Sequence, residues 1–139
     1  MNDAMGRILV PTDGSEESDA AFVAIMPLVR AYAPEVVVLY VFEDPDASFV
    51  PPARIAKACR ALRSARVDAH LELRVGKPAD QILEVAGGRK VDLIAISTHG
   101  RAGVGRLIWG SVAEAVLRRA ELPVLVTRPG ANEQPWKKI

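Results

Sequence analysis

The residues best suited to chemistry in this chain lie between Ser97 and Ser111, in the stretch STHGRAGVGRLIWGS. Four glycines and two arginines there separate an apolar run, VDLIAI, from a helix-forming run, GSVAEAVLRRAE. Glycine lets a backbone come close to a ligand, and the first amides of a helix point unpaired N–H groups at whatever lies ahead of them. A glycine-rich turn opening a helix is therefore a ready anion site. Spacing narrows the chemistry. The dinucleotide fingerprint G-x-G-x-x-G is absent, because the order found is Gly100-x-x-Gly103-x-Gly105. Gly105 and Gly110 have the spacing of G-x-x-x-x-G-K-[ST], but Ser111 follows Gly110 directly, without the lysine that reaches the outer phosphates. Efficient phosphoryl transfer is not indicated. What remains is passive: close backbone approach at Gly110, the amides of Ser111 and Val112, and charge from Arg101 and Arg106. The plainer alternative is a turn with Ser111 as a helix cap. Spacing alone leaves both open.

Other reactive side chains are sparse. Asp13, in PTDGS, is either a turn residue or a ligand contact. His99 has no evident triad partner and His70 falls in an alternating run, so neither is assigned to catalysis. Trp109 is assigned to packing beneath the loop. Cys59 is the only cysteine, which rules out an internal disulfide and disfavours a cysteine metal site. No catalytic residue and no metal-binding set is expected.

These residues must be held by regular elements, and the chain alternates two kinds. RILVP, VVVLYVF, VDAHLELRV, VDLIAIS and VLVTR read as strands. The second and fourth are apolar throughout, as in strands covered on both faces, whereas VDAHLELRV alternates and belongs near an edge. Between them, helical spacing runs through Ala21, Phe22, Ile25, Leu28, Val29 and Tyr32. It continues through ARIAKACRALRSA, through the segment from Pro78 to Gly88, and from Ser111 onward until Pro123. Ser15 is placed to cap the first helix, and Pro27 to kink it. Strands alternating with helices point to a single α/β domain built on a doubly wound parallel sheet. In such sheets ligands sit beyond the carboxyl ends of the strands, where strand order reverses. Asp13 would face the glycine loop across that crevice if the first and fourth strands are neighbours.

Composition excludes several classes. The 139 residues are half hydrophobic and a quarter charged, with net charge +1, so no general field draws the chain to nucleic acid or an acidic membrane. The basic helix from Arg54 to Arg66 reads as a solvated face. No apolar run approaches the roughly 20 residues of a membrane span, and MNDAMGR is unlike a secretory leader. The expected location is the cytoplasm.

Taken together, RILVPTDGSEESDAA, LYVFE, GKPADQIL and DLIAISTHGRAGVGRLIWGSVAEAVLRRAELPVLVTR resemble the universal stress protein family, in the family's order, from Arg7 to Arg128. The resemblance implies a five-stranded parallel sheet of order 3-2-1-4-5 with helices on both faces. It divides the chain into a flexible start (1–6), a nucleotide-binding domain (7–128) and a polar tail (129–139). It also implies a homodimer joined through the last strand, Val124 to Thr127. Nucleotide-binding members carry G-x2-G-x9-G-[ST], and three of those four positions match here, in Ser97-x2-Gly100-x9-Gly110-Ser111. By resemblance, Asp13 and the backbone at Val41 meet adenine, with Pro11 and Thr12 shaping that wall. Ser97 lies by the ribose, and Gly100, Arg101, Gly110, Ser111 and Val112 cradle phosphates. The departure is serine for the first glycine, which either crowds the nucleotide or reaches it with a hydroxyl. The segment after FVPP is also shorter than in many relatives. The implied ligand is ATP, or ADP or AMP, and any Mg would lack dedicated protein ligands. The rival expectations are a slow ATPase and a dimeric interaction module that needs no nucleotide.

Overall fold

The computed structural model describes residues 5–98 and 110–128. β1 (Arg7–Pro11) leads through a short 3-10 helix (Glu17–Asp19) into α1 (Ala20–Ala24) and α2 (Met26–Tyr32). β2 (Glu35–Phe42), α3 (Ala53–Ser64), β3 (Asp68–Val75), α4 (Pro78–Gly88), β4 (Leu93–Ser97), α5 (Ser111–Arg119) and β5 (Val124–Thr127) follow. The five strands form one sheet of order β3-β2-β1-β4-β5, and every pairing is parallel. The expected doubly wound sheet is therefore present, and β1 and β4 are neighbours, with Ile8 opposite Leu93 and Leu9 opposite Ile94.

Two apolar layers sandwich the sheet. Ile8, Val10, Val36 and Val38 pack against Phe22, Ile25, Ile55 and Leu62 from α1 to α3. Leu9, Val37, Leu39 and Ile94 pack against Ile82 and Val85 of α4 and Val116 of α5. Alternate residues of β1 and β2 thus feed opposite cores, which is why those runs are apolar without interruption. Cys59 is buried in the first layer, and burial pushes its thiol up, against a smaller opposite pull from Arg63. Among the described residues no helix is long and apolar enough to cross a membrane.

The first helix is not one kinked rod. It begins as a 3-10 turn and divides at Ile25, which ends α1 and starts α2. Pro27 falls in the first turn of α2, where its missing N–H has no intrahelical partner to lose. Ser15 is not the N-cap expected of it, since Glu16 precedes the 3-10 helix and Asp19 precedes α1; its Oγ instead accepts from the Ser18 N–H at 3.3 Å, within the turn.

β3 occupies one edge, pairing only with β2 along its whole length. Its polar face joins an ionic network across β1, β2, β3 and the end of α4. Arg74 Nε and Arg89 Nε donate to the two oxygens of Glu72 at 2.7 and 2.5 Å, while Arg7 Nε holds Glu35 at 2.9 Å. Burial works to raise the Glu72 pKa. The hydrogen bonds and charges of Arg74 and Arg89 outweigh it, and the net shift is downward. A carboxyl with a depressed folded-state pKa stabilises the fold above its unfolded pKa, and that contribution is lost as pH falls through the folded value. Wild type should therefore exceed Glu72→Gln in stability at neutral pH. The difference should shrink as pH drops below the ordinary glutamate value of 4.5. Urea unfolding of both proteins across that range checks it, and a difference independent of pH would refute the assignment.

Candidate functional site

Strand order reverses between β1 and β4, since the chain leaves β1 toward one face and β4 toward the other. A crevice opens there, beyond the carboxyl ends of the strands, as such sheets require. Its volume is about 420 Å³. One wall is Pro11, Thr12 and Asp13, at and just past the end of β1. Leu39, Tyr40 and Val41 of β2 stand beside it, Pro78 and Ile82 of α4 close one side, and Ile96 and Ser97 bring in β4. The start of α5 supplies Gly110, Ser111, Val112 and Ala113.

The turn after β1 is tied by its own side chains. Thr12 Oγ1 and Ser18 Oγ share a buried hydrogen bond of 2.7 Å, and the Gly14 N–H donates to Thr12 Oγ1 at 3.1 Å. Asp13 Oδ1 accepts from the Ser15 N–H at 2.9 Å and from the Ser15 hydroxyl at 2.5 Å. Ser18 Oγ in turn donates to the Ser15 carbonyl at 2.7 Å. These bonds fix the Asp13 carboxylate at the crevice wall before any ligand arrives.

Across the crevice, α5 presents its N-terminus. Gly110 carries ordinary extended dihedrals, φ −53° and ψ 146°, so its conformation does not itself require glycine. The Gly110 carbonyl accepts the first helical bond, from the Glu114 N–H at 3.0 Å. The N–H groups of Ser111 and Val112 belong to the first turn, where no carbonyl lies four residues back within the helix. They and the helix dipole favour an anion at this end.

The residues singled out by sequence converge here. Pro11, Thr12, Asp13, Val41, Ser97, Gly110, Ser111 and Val112 all line the crevice. Gly100, Arg101, Arg106, His99 and Trp109 lie outside the described residues. Ser97 has a definite role, in that its hydroxyl donates to the Glu17 carbonyl at 2.8 Å. Its proton is thus committed to the protein, joining the end of β4 to the 3-10 helix, and only its lone pairs remain to meet a ligand. Sequence reasoning missed Ser18, Leu39, Tyr40, Glu43, Pro78, Ile82, Ile96 and Ala113 in the lining. Glu43 was within reach of it, one residue past the end of β2, on the side of the sheet where ligands bind.

Among the described lining residues the ionisable groups are Asp13, Glu43 and the Tyr40 phenol, with no histidine, lysine or cysteine. The arrangement can hold a ligand that is anionic at the α5 end and hydrogen-bonding at the Asp13 end. The Glu35, Asp68 and His70 side chains, whose candidate ligand atoms lie within 4.8 Å of one another, sit at the beginnings of β2 and β3, the opposite end of the sheet.

The sequence model of the Universal stress protein family matches residues 5–128. The chain is similar to Universal stress protein MJ0531 of Methanocaldococcus jannaschii, with 32% identity over 91% of this chain and 84% of that protein. It is similar to the Thermus aquaticus universal stress protein in the QAH/OAS sulfhydrylase 3′ region, with 32% identity over 87% and 97% of the two chains. Among solved structures, a universal stress protein in complex with cAMP superposes with a TM-score of 0.73. It shares 26% identity, and the match covers 92% of this chain and 100% of that one.

Proposed function

The chain belongs to the universal stress protein family, and from that premise we propose that it binds ATP or a related adenine nucleotide and acts by binding, in a stress-response or regulatory role. The observation that carries the proposal is the crevice between β1 and β4, of about 420 Å³, with Asp13 on one wall and the α5 amides on the other. That size lies in the usual range for small-molecule sites, roughly 300–1,000 Å³. Adenine sits against Pro11 and Thr12, with Asp13 and the Val41 backbone meeting its edge. The ribose passes Ser97, and the phosphates lie on Gly110, Ser111 and Val112, with Gly100 and Arg101 completing the cradle. A relative of the same fold holding cAMP supports an adenine nucleotide as the ligand class. Mg would ride on the nucleotide phosphates. Calorimetric titration with ATP, ADP and AMP tests the reading, and saturable one-to-one binding is expected.

Hydrolysis should be negligible. The lysine of phosphoryl-transfer loops is missing after Gly110. A clean preparation should turn over ATP well below the roughly 1–1,000 per second of ordinary enzymes. Turnover in that range, abolished by Ser111→Ala, would convert the binding module into an ATPase.

The binding unit is a cytoplasmic homodimer joined through β5. In β5 the Pro123 and Thr127 carbonyls accept from Ile94 and Thr98, so the backbone groups of Val124 and Val126 point away from β4, to the open edge. No lysine or proline interrupts Val124 to Thr127 to guard that edge. Val126→Pro removes an outward N–H while leaving the β4 ladder whole, and it should shift the protein toward monomer. Light scattering reads the outcome; a wild type that gains no mass from this edge would end the dimer assignment.

A further inference from the structure

The opposite edge of the sheet carries a pattern of its own. The Gly76 N–H donates to the Phe42 carbonyl at 2.9 Å, so even-numbered positions along β3 face β2. Backbone direction alternates along a strand, which leaves Ala69, Leu71, Leu73 and Val75 with their N–H and C=O groups toward the open edge. Arg63 Nε confirms the direction by donating to the Ala69 carbonyl at 3.0 Å. The side chains alternate too. Leu73 and Val75 are each 41% exposed on the α3 face, while Asp68, His70, Glu72 and Arg74 line the other face in the order acid, base, acid, base.

Such a row is self-complementary when reversed. An antiparallel partner must place outward-facing residues opposite outward-facing residues, so registers differ by whole two-residue steps. With a two-fold axis at Leu71, Asp68 lies opposite the partner's Arg74 and His70 opposite the partner's Glu72. On the other face Ala69 meets the partner's Leu73, and Leu71 meets its own copy. Moving the axis to His70 sets Asp68 against the partner's Glu72. Moving it to Glu72 sets that carboxylate against the partner's Glu72 and His70 against the partner's Arg74. Opposite charges directly across a strand pair stabilise it and like charges destabilise it. Of these three registers, only the one centred on Leu71 sets Asp68 against Arg74 and lets the His70 ring N–H reach Glu72, whereas the other two set carboxylate against carboxylate.

We propose that two copies of this chain associate by antiparallel pairing of their β3 edges about a two-fold axis at Leu71. The occupant is a second copy because the charge order complements itself, and the two half-exposed apolar side chains beside it gain a covering. Arg63 is the guard of this edge, and it must leave the Ala69 carbonyl for the ladder to complete. The interface is separate from β5, so a protein using both edges forms assemblies larger than a dimer. It is also independent of the nucleotide reading.

Sedimentation across a concentration series tests it with wild type, His70→Glu and Leu73→Lys, both changed positions being substantially exposed. Whatever state the β5 edge produces, wild type should reach at least twice the particle mass of either variant at the same concentration, with circular dichroism unchanged. Single cysteines then map the register. Residues facing each other in a hydrogen-bonded pair lie about 5.5 Å apart, within disulfide reach. Leu71→Cys should cross-link two chains under oxidation, and His70→Cys should not. Equal masses for wild type and both variants, or cross-linking at position 70 in place of 71, would overturn the proposal.

Discussion

Replacing Gly110 with valine is expected to weaken ATP binding by about a hundredfold, ~2.8 kcal/mol, and to leave the fold intact. Gly110 lines the crevice immediately before α5, next to Ser111 and Val112 of its first turn. A branched side chain there would occupy the volume through which phosphate reaches their amides. Nothing in the backbone resists the change, because φ −53° suits any residue. Melting temperature should therefore stay near that of wild type while the calorimetric signal collapses. Unchanged affinity in a folded mutant would remove the start of α5 from the site.

Gly14→Ala should do the reverse, damaging the fold first. Gly14 adopts φ +80°, a region that L side chains rarely enter, and a Cβ built on it falls 2.6 and 2.8 Å from the ring carbons Cγ and Cβ of Pro52. Pro52 starts α3 and its carbonyl accepts the Ile55 N–H at 3.0 Å, so the ring cannot swing aside without disturbing that helix. Backbone strain and steric conflict together should cost about 2–4 kcal/mol. For a chain of this size that corresponds to a fall of roughly 5–15 °C in melting temperature. Thermal unfolding followed by circular dichroism measures it. Because the Gly14 N–H also anchors Thr12, nucleotide affinity should fall alongside stability. A melting temperature within a degree of wild type would show that the turn relaxes around the new methyl group.

The two glycines illustrate what was legible in the chain. Asp13-Gly14 reads as a turn from local chemistry alone, and Gly110-Ser111 reads as a helix start that suits an anion. The apolar run Val36 to Phe42 and the alternating run Asp68 to Val75 reveal a covered strand and an edge strand, because burial on two faces or one writes itself into every residue. Strand order came with the family resemblance, since periodicity says nothing about which strands adjoin. Contacts between distant positions were beyond reach. Ser97 and Glu17 are 80 residues apart, and only the fold brings that hydroxyl to that carbonyl. Serine in place of the motif glycine left two readings at the sequence level, crowding or contact. The structure adds a third role, a tie between β4 and the turn that carries Asp13. The break of the first helix at Ile25 was also hidden, because Pro27 is compatible with a kink in one helix or the opening turn of another.

The central claim is that an adenine nucleotide occupies the crevice between β1 and β4. Native mass spectrometry of the freshly purified protein, followed by addition of ATP to any bare chains, tests it most directly. One adenine nucleotide per chain, either carried through purification or taken up on titration, is the expected result. Chains that remain bare in saturating ATP, while folded and assembled, would contradict it.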